Sequence, residues 1–141
     1  MKSLFGFFLR YLRSFLLYKR IMKKRVQSFG YAFRGISEVF GSEANMKIHV
    51  VITVLVIIAG IAFSISLIEW IFCLICIGLV IGAEMMNTAI ETIIDLASPE
   101  QHPLAGRAKD IAAGAVLICA IISVIIGLLI FVPKGWNLIA H

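Results

Sequence analysis

Residues 68–95 read IEWIFCLICIGLVIGAEMMNTAIETIID, and this stretch decides the fold. Apart from Glu69 it carries no charge up to Ala83, whereas beyond that point an acidic or amide side chain recurs about once per helical turn. The spacing predicts one membrane helix over about 69–95, apolar through most of its length and acidic on one face at its end.

The composition places the whole chain in a membrane. Of its 141 residues 61% are hydrophobic and 15% are charged, which is too apolar for a water-compatible surface and leaves no room for a soluble catalytic domain. Two further uncharged runs predict membrane helices at about 48–67 and 110–132. The predicted fold class is therefore an all-α integral membrane protein with three transmembrane helices.

The N-terminal region has a different, amphipathic pattern. From residue 4 to 22 apolar side chains recur at helical spacing with arginines on the opposite face, and the stretch 28–40 repeats this pattern. We therefore expect amphipathic interfacial helices ahead of the membrane helices. On this basis, 1–24 is a basic N-terminal extension and 25–141 is the membrane domain, with a surface helix at 28–40.

The charges are divided unevenly along the chain. Ten of the 13 Lys and Arg residues precede position 48, together with only two acids. Because Lys and Arg are retained on the cytoplasmic side of membrane segments, this imbalance indicates topology rather than nucleic-acid binding. It predicts a cytoplasmic N-terminus, a polar connector over Leu96–Asp110 on the same side, and a third helix that ends at Pro133 outside.

Four polar residues share one face of the second membrane helix. Glu84, Asn87, Glu91 and Asp95 fall within an arc of roughly 80° at about 100° per residue. Counted from Trp70, Glu84 lies about 21 Å into the bilayer. A bare carboxylate at such a depth costs at least about 2.5–3.5 kcal/mol, so Glu84 needs a partner or a water-filled surrounding.

Other polar residues flank the same ends of the helices. They are Glu43, Lys47, His49, Glu100, His102, Arg107, Lys109 and Asp110. Several carboxylates beside a few cations suit an anionic ligand carried by Mg²⁺, which commonly bridges one or two carboxylates to phosphates. A proton or cation path, or structural charge pairs, are alternatives that the spacing leaves open. Neither a P-loop nor a protein-kinase glycine-rich loop is present.

Two longer motifs narrow these alternatives. The run EMMNTAIETIID at 84–95, followed by EQHPLAGRAKDIAAGAV at 100–116, resembles the signature of the prokaryotic diacylglycerol kinase family over roughly 25–133. The motifs at 43–49, 68–70 and 102–104 are similar to the Gram-positive branch, whose members often phosphorylate undecaprenol rather than, or as well as, diacylglycerol. The residues before about 20 lie outside the resemblance.

The resemblance implies a role for each matching residue. Glu84 matches the catalytic base, Glu43 and Glu91 match metal ligands, and Asn87 and Asp95 match supporting polar positions. The implied nucleotide-binding set is Glu43, Asn87, Glu91, Asp95, Glu100, His102, Lys109 and Asp110. Within it, Lys109 and Asp110 match positions at the nucleotide, and Glu100 and His102 match contacts to the adenosine. His49 departs from the acidic residue of the Gram-negative branch.

The resemblance further implies a multi-pass lipid kinase of the bacterial cell membrane. It would use ATP and Mg²⁺, act on a membrane lipid alcohol at the cytoplasmic interface, and form a homotrimer with a shared active site. The G-x-x-x-G at Gly78 and Gly82 is compatible with such close packing. The lipid-binding residues and the choice between undecaprenol and diacylglycerol stay open.

Overall fold

The computed structural model describes residues 2–100 and 102–140, with side chains at 11, 13, 15–100, 102–137 and 140. Four α-helices account for nearly all of these residues: α1 (Lys2–Ser42), α2 (Ala44–Ala62), α3 (Leu67–Ala97) and α4 (Pro103–Ile139). The described ranges contain no β-strand. Helices α2, α3 and α4 are each long and apolar enough to cross a bilayer, so the prediction of three membrane helices is confirmed.

The chain forms two compact units, Met1–Glu38 and Val39–His141. In the first unit α1 is one continuous helix where the sequence predicted two separate stretches. Residues 22–28 read MKKRVQS, without Gly or Pro, and Met, Lys, Arg and Gln are good helix formers, so nothing interrupts the helix there. The break comes at Glu43, which has an extended backbone and caps α2. The boundary between residues 24 and 25 stays a prediction.

The second unit packs around α3, which lies along α4 and, less extensively, against α2. Its buried apolar cluster consists of Ile65, Cys73 and Ile130, with the ring of Phe63 6.2 Å from that of Phe131 nearby. This cluster lies where α2 is followed by α3, and we call this end of the three helices the turn end. Within the most apolar 18-residue stretch of α2, only 11% is buried inside the chain. Lipid or another chain must therefore cover the rest of this stretch.

The α2–α3 turn is short and internally bonded. Ser64 has a positive φ of 47°, and its N–H donates to the carbonyl of Ile61. Ser66 then caps α3 in a reciprocal capping box with Glu69, whose carboxylate also forms a 3.2 Å ion pair with Lys134 of α4. The carboxylate of Glu69 therefore stabilises the start of α3 and its contact with α4.

Helix α4 is longer at both ends than the sequence predicted. The polar connector is shorter than predicted, because α3 continues to Ala97 and α4 begins at Pro103, where the fixed φ and missing N–H of proline are tolerated. At the other end α4 continues through Pro133 instead of stopping there. A proline removes one hydrogen bond, which a membrane helix can tolerate.

Gly60 is the point of closest approach at the turn end. A Cβ added there would lie 2.7 Å from Cη2 of Trp70 and 3.1 Å from Cδ1 of Ile65. A Cβ at Gly30 on α1, in contrast, would meet nothing within 4 Å. A side chain at Gly60 would therefore displace the rigid indole ring.

We expect Gly60→Ala to lower the stability of the protein by about 1–3 kcal/mol through overpacking. The matched control Gly30→Ala should leave it unchanged or raise it slightly, because Ala is the better helix former. Thermal unfolding midpoints in detergent micelles measure both. A Gly60→Ala midpoint at or above that of Gly30→Ala would contradict the close contact with Trp70.

Candidate active site on the polar face of α3

Burial along the polar face of α3 is graded. Glu84 is 2% exposed and Asn87 is 7% exposed, whereas Glu91 is half-buried and Asp95 is exposed. This gradient follows the helix from the apolar interior of the unit towards its end at Ala97. The face therefore connects a buried carboxylate to an open, charged surface within about three helical turns.

Asn87 joins two of the predicted residues and leaves one atom unused. Its Nδ2 donates a 2.9 Å hydrogen bond to Oε1 of Glu91, one turn further along α3. Its Oδ1 is buried without a hydrogen-bond partner among the described residues. An unpaired buried acceptor lowers the stability of the fold by roughly 1–3 kcal/mol. This oxygen is therefore available to a ligand, and it lies next to the carboxylate of Glu91.

An ion pair links the end of this face to α4. Nζ of Lys109 lies 2.5 Å from Oδ1 of Asp95, and both side chains are partly exposed. Lys109 lies on the second turn of α4 rather than in a connector. The helix thus holds a cation next to the acidic face of α3.

A cavity of about 480 Å³ opens between the end of α3 and the start of α4. Its ionisable lining residues are Asp95, Glu100, His102 and Lys109. Four residues that the sequence placed at a nucleotide are therefore brought together around one space. Ile94, Ser98 and Gly106 also line it, and none of these three was among the predicted site residues.

Two local hydrogen bonds involve connector residues that line this cavity. Oγ of Ser98 donates to the carbonyl of Glu100 at 3.2 Å. His102 caps α4, with Nδ1 accepting from the N–H of Leu104 at 3.2 Å. Because Nδ1 is used by the helix, Nε2 is the ring nitrogen of His102 left for a ligand.

Two of the predicted residues lie apart from these contacts. Glu43 caps α2 through its backbone, and its carboxylate accepts a 3.2 Å hydrogen bond from Ser42. Asp110 is exposed on α4, one residue beyond Lys109. Within 2–100 and 102–140, no three His, Cys, Asp or Glu residues come together in a way that could hold a metal ion.

A second cavity, of about 340 Å³, lies between α2, α3 and α4. Its lining is almost entirely apolar and runs along α3 from Cys73 to Ile81. Ile81 is three residues, or about one turn, from Glu84. The hydroxyl groups of Thr53 and Ser123, which also line it, donate to carbonyls of their own helices.

Comparison with known proteins identifies the family of the chain. The family model described as prokaryotic diacylglycerol kinase matches residues 30–131, which is most of the chain. The chain belongs to the prokaryotic diacylglycerol kinase family. The match contains all of the predicted site residues and excludes the first 29 residues.

Individual relatives are all named as lipid kinases, but the lipid in the name differs between them. An undecaprenol kinase of Bacillus subtilis is 47% identical over 77% of this chain and 88% of its own length. A diacylglycerol kinase of Synechocystis is 39% identical over 75% of this chain and 61% of its own length. The diacylglycerol kinase of Escherichia coli is 31% identical over 71% and 82%. The family and these names support a membrane lipid kinase.

We expect Asn87→Leu to lower the activity of the protein without lowering its stability. The substitution removes the unpaired Oδ1 and releases Glu91, so phosphate transfer should fall by about 100-fold or more, as for loss of a positioned polar group in an active site. The unfolding midpoint should stay unchanged or rise, because an unsatisfied buried acceptor is lost. Activity and unfolding assays on the same preparation measure both effects.

The matched control is Met86→Leu, which alters an exposed residue next to Asn87 and should retain full activity. A lower unfolding midpoint for Asn87→Leu than for the unsubstituted protein, together with the loss of activity, would show that Asn87 acts by stabilising the fold.

Proposed function

We propose that this protein transfers the γ-phosphate of Mg-ATP to the hydroxyl group of a membrane lipid alcohol. The observation that carries the proposal is the buried Glu84 at the start of a polar face that continues through Asn87 and Glu91 to a charged cavity. A lipid hydroxyl reaches such a site from the bilayer, and a nucleotide reaches it from water.

Glu84 is proposed as the general base. Its carboxylate takes the proton of the lipid hydroxyl as that oxygen forms a bond to the γ-phosphorus. The bond from the γ-phosphorus to the β–γ bridging oxygen breaks, and ADP leaves. Burial of Glu84 excludes bulk water, which would otherwise compete with the lipid hydroxyl as acceptor.

Glu91 and Glu43 are the proposed Mg²⁺ ligands, with Asn87 supporting them. The donor chemistry fits, because the carboxylate of Glu91 and the unpaired Oδ1 of Asn87 are hard oxygen ligands on adjacent turns. A bound Mg²⁺ neutralises phosphate charge during transfer. The described residues of one chain contain no group of three such ligands, and in the proposal phosphate oxygens, water and a neighbouring subunit would complete the set.

The cavity at the start of α4 is the proposed nucleotide site. Lys109 would exchange its contact with Asp95 for the phosphates, which gives the ion pair a role in keeping the cation positioned before ATP arrives. Glu100 and His102 line this cavity, and in the proposal Glu100 and Nε2 of His102 would contact the adenosine. Asp110 joins this set by its position next to Lys109.

The apolar cavity beside α3 is a candidate site for the lipid chain. A chain lying along Cys73–Ile81 would bring its hydroxyl end within about one turn of Glu84. The name of the relative at 47% identity supports undecaprenol as the preferred acceptor, ahead of diacylglycerol.

A homotrimer with sites shared between subunits is part of the proposal. Large apolar areas of α2, α3 and α4 are uncovered in one chain, and a Cβ at Gly78 or Gly82 would meet nothing within 4 Å. Both features suit close packing of further subunits. Because ATP is cytoplasmic, the proposed orientation places the N-terminus and the site at the cytoplasmic face of the bacterial cell membrane, with the turn end outside.

Proton or cation conduction through the acidic face is the alternative. It requires polar groups across the full thickness of the bilayer. Within the described part of one chain, the turn end is filled by the apolar cluster of Ile65, Cys73 and Ile130 instead. This packing favours phosphate transfer over conduction.

We expect Glu84→Gln to reduce transfer of labelled phosphate from ATP to lipid by about 10²–10⁴-fold, because the isosteric amide cannot accept the proton. Glu91→Gln should also lose activity, and should raise the Mg²⁺ concentration needed. The matched control is Glu69→Gln at the turn end, which should retain transfer. Full activity of Glu84→Gln in correctly folded protein would refute its role as base.

The acceptor is tested by competition between undecaprenol and diacylglycerol in one mixed-micelle reaction. We expect labelled phosphate to enter undecaprenol at least about tenfold faster per mole, within the range by which apolar sites discriminate. Separation of the two products by thin-layer chromatography gives the ratio. Equal labelling, or preference for diacylglycerol, would contradict this choice.

A further inference from the structure

His49 is a polar residue of α2 to which the proposed reaction assigns no role. It is half-buried on the second turn of the helix and lines the apolar cavity between α2, α3 and α4. Apart from the thiols of Cys73 and Cys76, its imidazole is the one titratable group in the described lining. Among the described residues its ring forms no hydrogen bond, and the contact with Thr53 uses the backbone carbonyl of His49.

The register of the helices brings His49 close in depth to Glu84. Gly60 of α2 and Trp70 of α3 approach each other closely, so the two helices are level at that point. Eleven residues from each of them, at about 16 Å along the helices, His49 and Ile81 are level again, and both line the cavity. Glu84 follows Ile81 by three residues, which is a rise of about 4.5 Å. His49 therefore lies at the end of the cavity nearest to the buried carboxylate.

Hydrogen-bond donors inside this cavity are scarce. The hydroxyl groups of Thr53 and Ser123 donate to backbone carbonyls of their own helices, both at 2.8 Å. The thiols of Cys73 and Cys76 are only weak donors. The ring of His49 keeps at least one N–H in any protonation state, and no described residue accepts from it. The cavity can therefore satisfy a polar oxygen at its His49 end, whereas the rest of the described lining offers no strong donor.

This distribution of donors suits a lipid whose only polar group is a terminal hydroxyl. Such a group has one proton for the carboxylate of Glu84 and two lone pairs, of which one can accept from His49 and the other can attack the γ-phosphorus. Two hydrogen bonds through one oxygen span up to about 5.6 Å, which covers the rise between the two residues. A lipid with ester carbonyls in the cavity would bury acceptors without donors, which opposes its binding.

We infer that His49 orients the hydroxyl of the lipid towards Glu84, and that the cavity selects long-chain alcohols without ester groups. The inference rests on the proposed function, because it concerns the acceptor of the same phosphate transfer. His49 keeps its proton throughout, and the bonds made and broken are those of the proposed transfer. The donor distribution is a physical reason to favour undecaprenol over diacylglycerol, and it does not depend on the names of the relatives.

The first test compares two lipids in one mixed-micelle reaction with the unsubstituted protein. Dioleoylglycerol and the dioleyl ether of glycerol share the free hydroxyl and the number of chains, and differ in the ester carbonyls. We expect labelled phosphate from ATP to enter the ether roughly tenfold or more faster per mole, because a buried carbonyl would lack a donor. Equal labelling, or faster labelling of the ester, would overturn the selection of ester-free lipids.

The second test changes His49 itself, with undecaprenol as the acceptor. His49→Leu removes the N–H and should lower kcat by about tenfold or more. The KM for ATP should stay unchanged, because His49 does not line the nucleotide cavity. His49→Gln, whose amide N–H can replace that of the ring, should recover most of the rate. The matched control is Ile48→Leu, at the exposed neighbouring position, which should retain full activity.

The outcomes separate this inference from the proposed function. If the unsubstituted protein phosphorylates undecaprenol and His49→Leu retains the full kcat, the inference is overturned while the proposed function stands. The same holds if His49→Leu and His49→Gln lose activity equally, or if the loss follows a lower unfolding midpoint, because His49 would then act through packing. Transfer to no lipid by the unsubstituted protein would overturn both.

Discussion

A carboxylate buried in a membrane helix is the constraint on which the rest of this structure depends. Glu84 is 2% exposed on α3, where a charge without compensation is costly. The turns of α3 that follow Glu84 carry further polar groups on the same face, so this carboxylate is not the only polar group there. Asn87, Glu91 and Asp95 continue the same face, and Lys109 supplies a cation at its end. The cost of burial is therefore concentrated at the place where the proposed phosphate transfer needs a carboxylate that is shielded from water.

The two ends of the second unit have opposite physical characters as a result. At the turn end, apolar packing around Ile65, the contact of Gly60 with Trp70 and the Glu69–Lys134 ion pair hold the helices together. At the other end, the helices separate around a polar cavity. A rigid turn end lets the polar end keep unsatisfied groups such as Oδ1 of Asn87, because stability is supplied elsewhere.

Sequence alone could predict the features that depend on periodicity and charge. The three membrane helices and the polar face of α3 follow from spacing, and the family follows from the motifs at 84–95 and 100–116. Helix ends were harder, because polar residues such as Arg107 and a proline such as Pro133 are compatible with a helix as well as with a loop. The orphaned Oδ1 and the capping role of His102 depend on tertiary geometry, which one sequence does not carry.

The most direct test of the central claim is a structure of the protein with Mg²⁺ and a non-hydrolysable ATP analogue in a lipid environment. We predict the triphosphate between Glu91 and Lys109, with the γ-phosphate nearest to Glu84 and the adenosine in the cavity beside His102. A nucleotide bound elsewhere, with Glu84 and Glu91 distant from its phosphates, would contradict this arrangement.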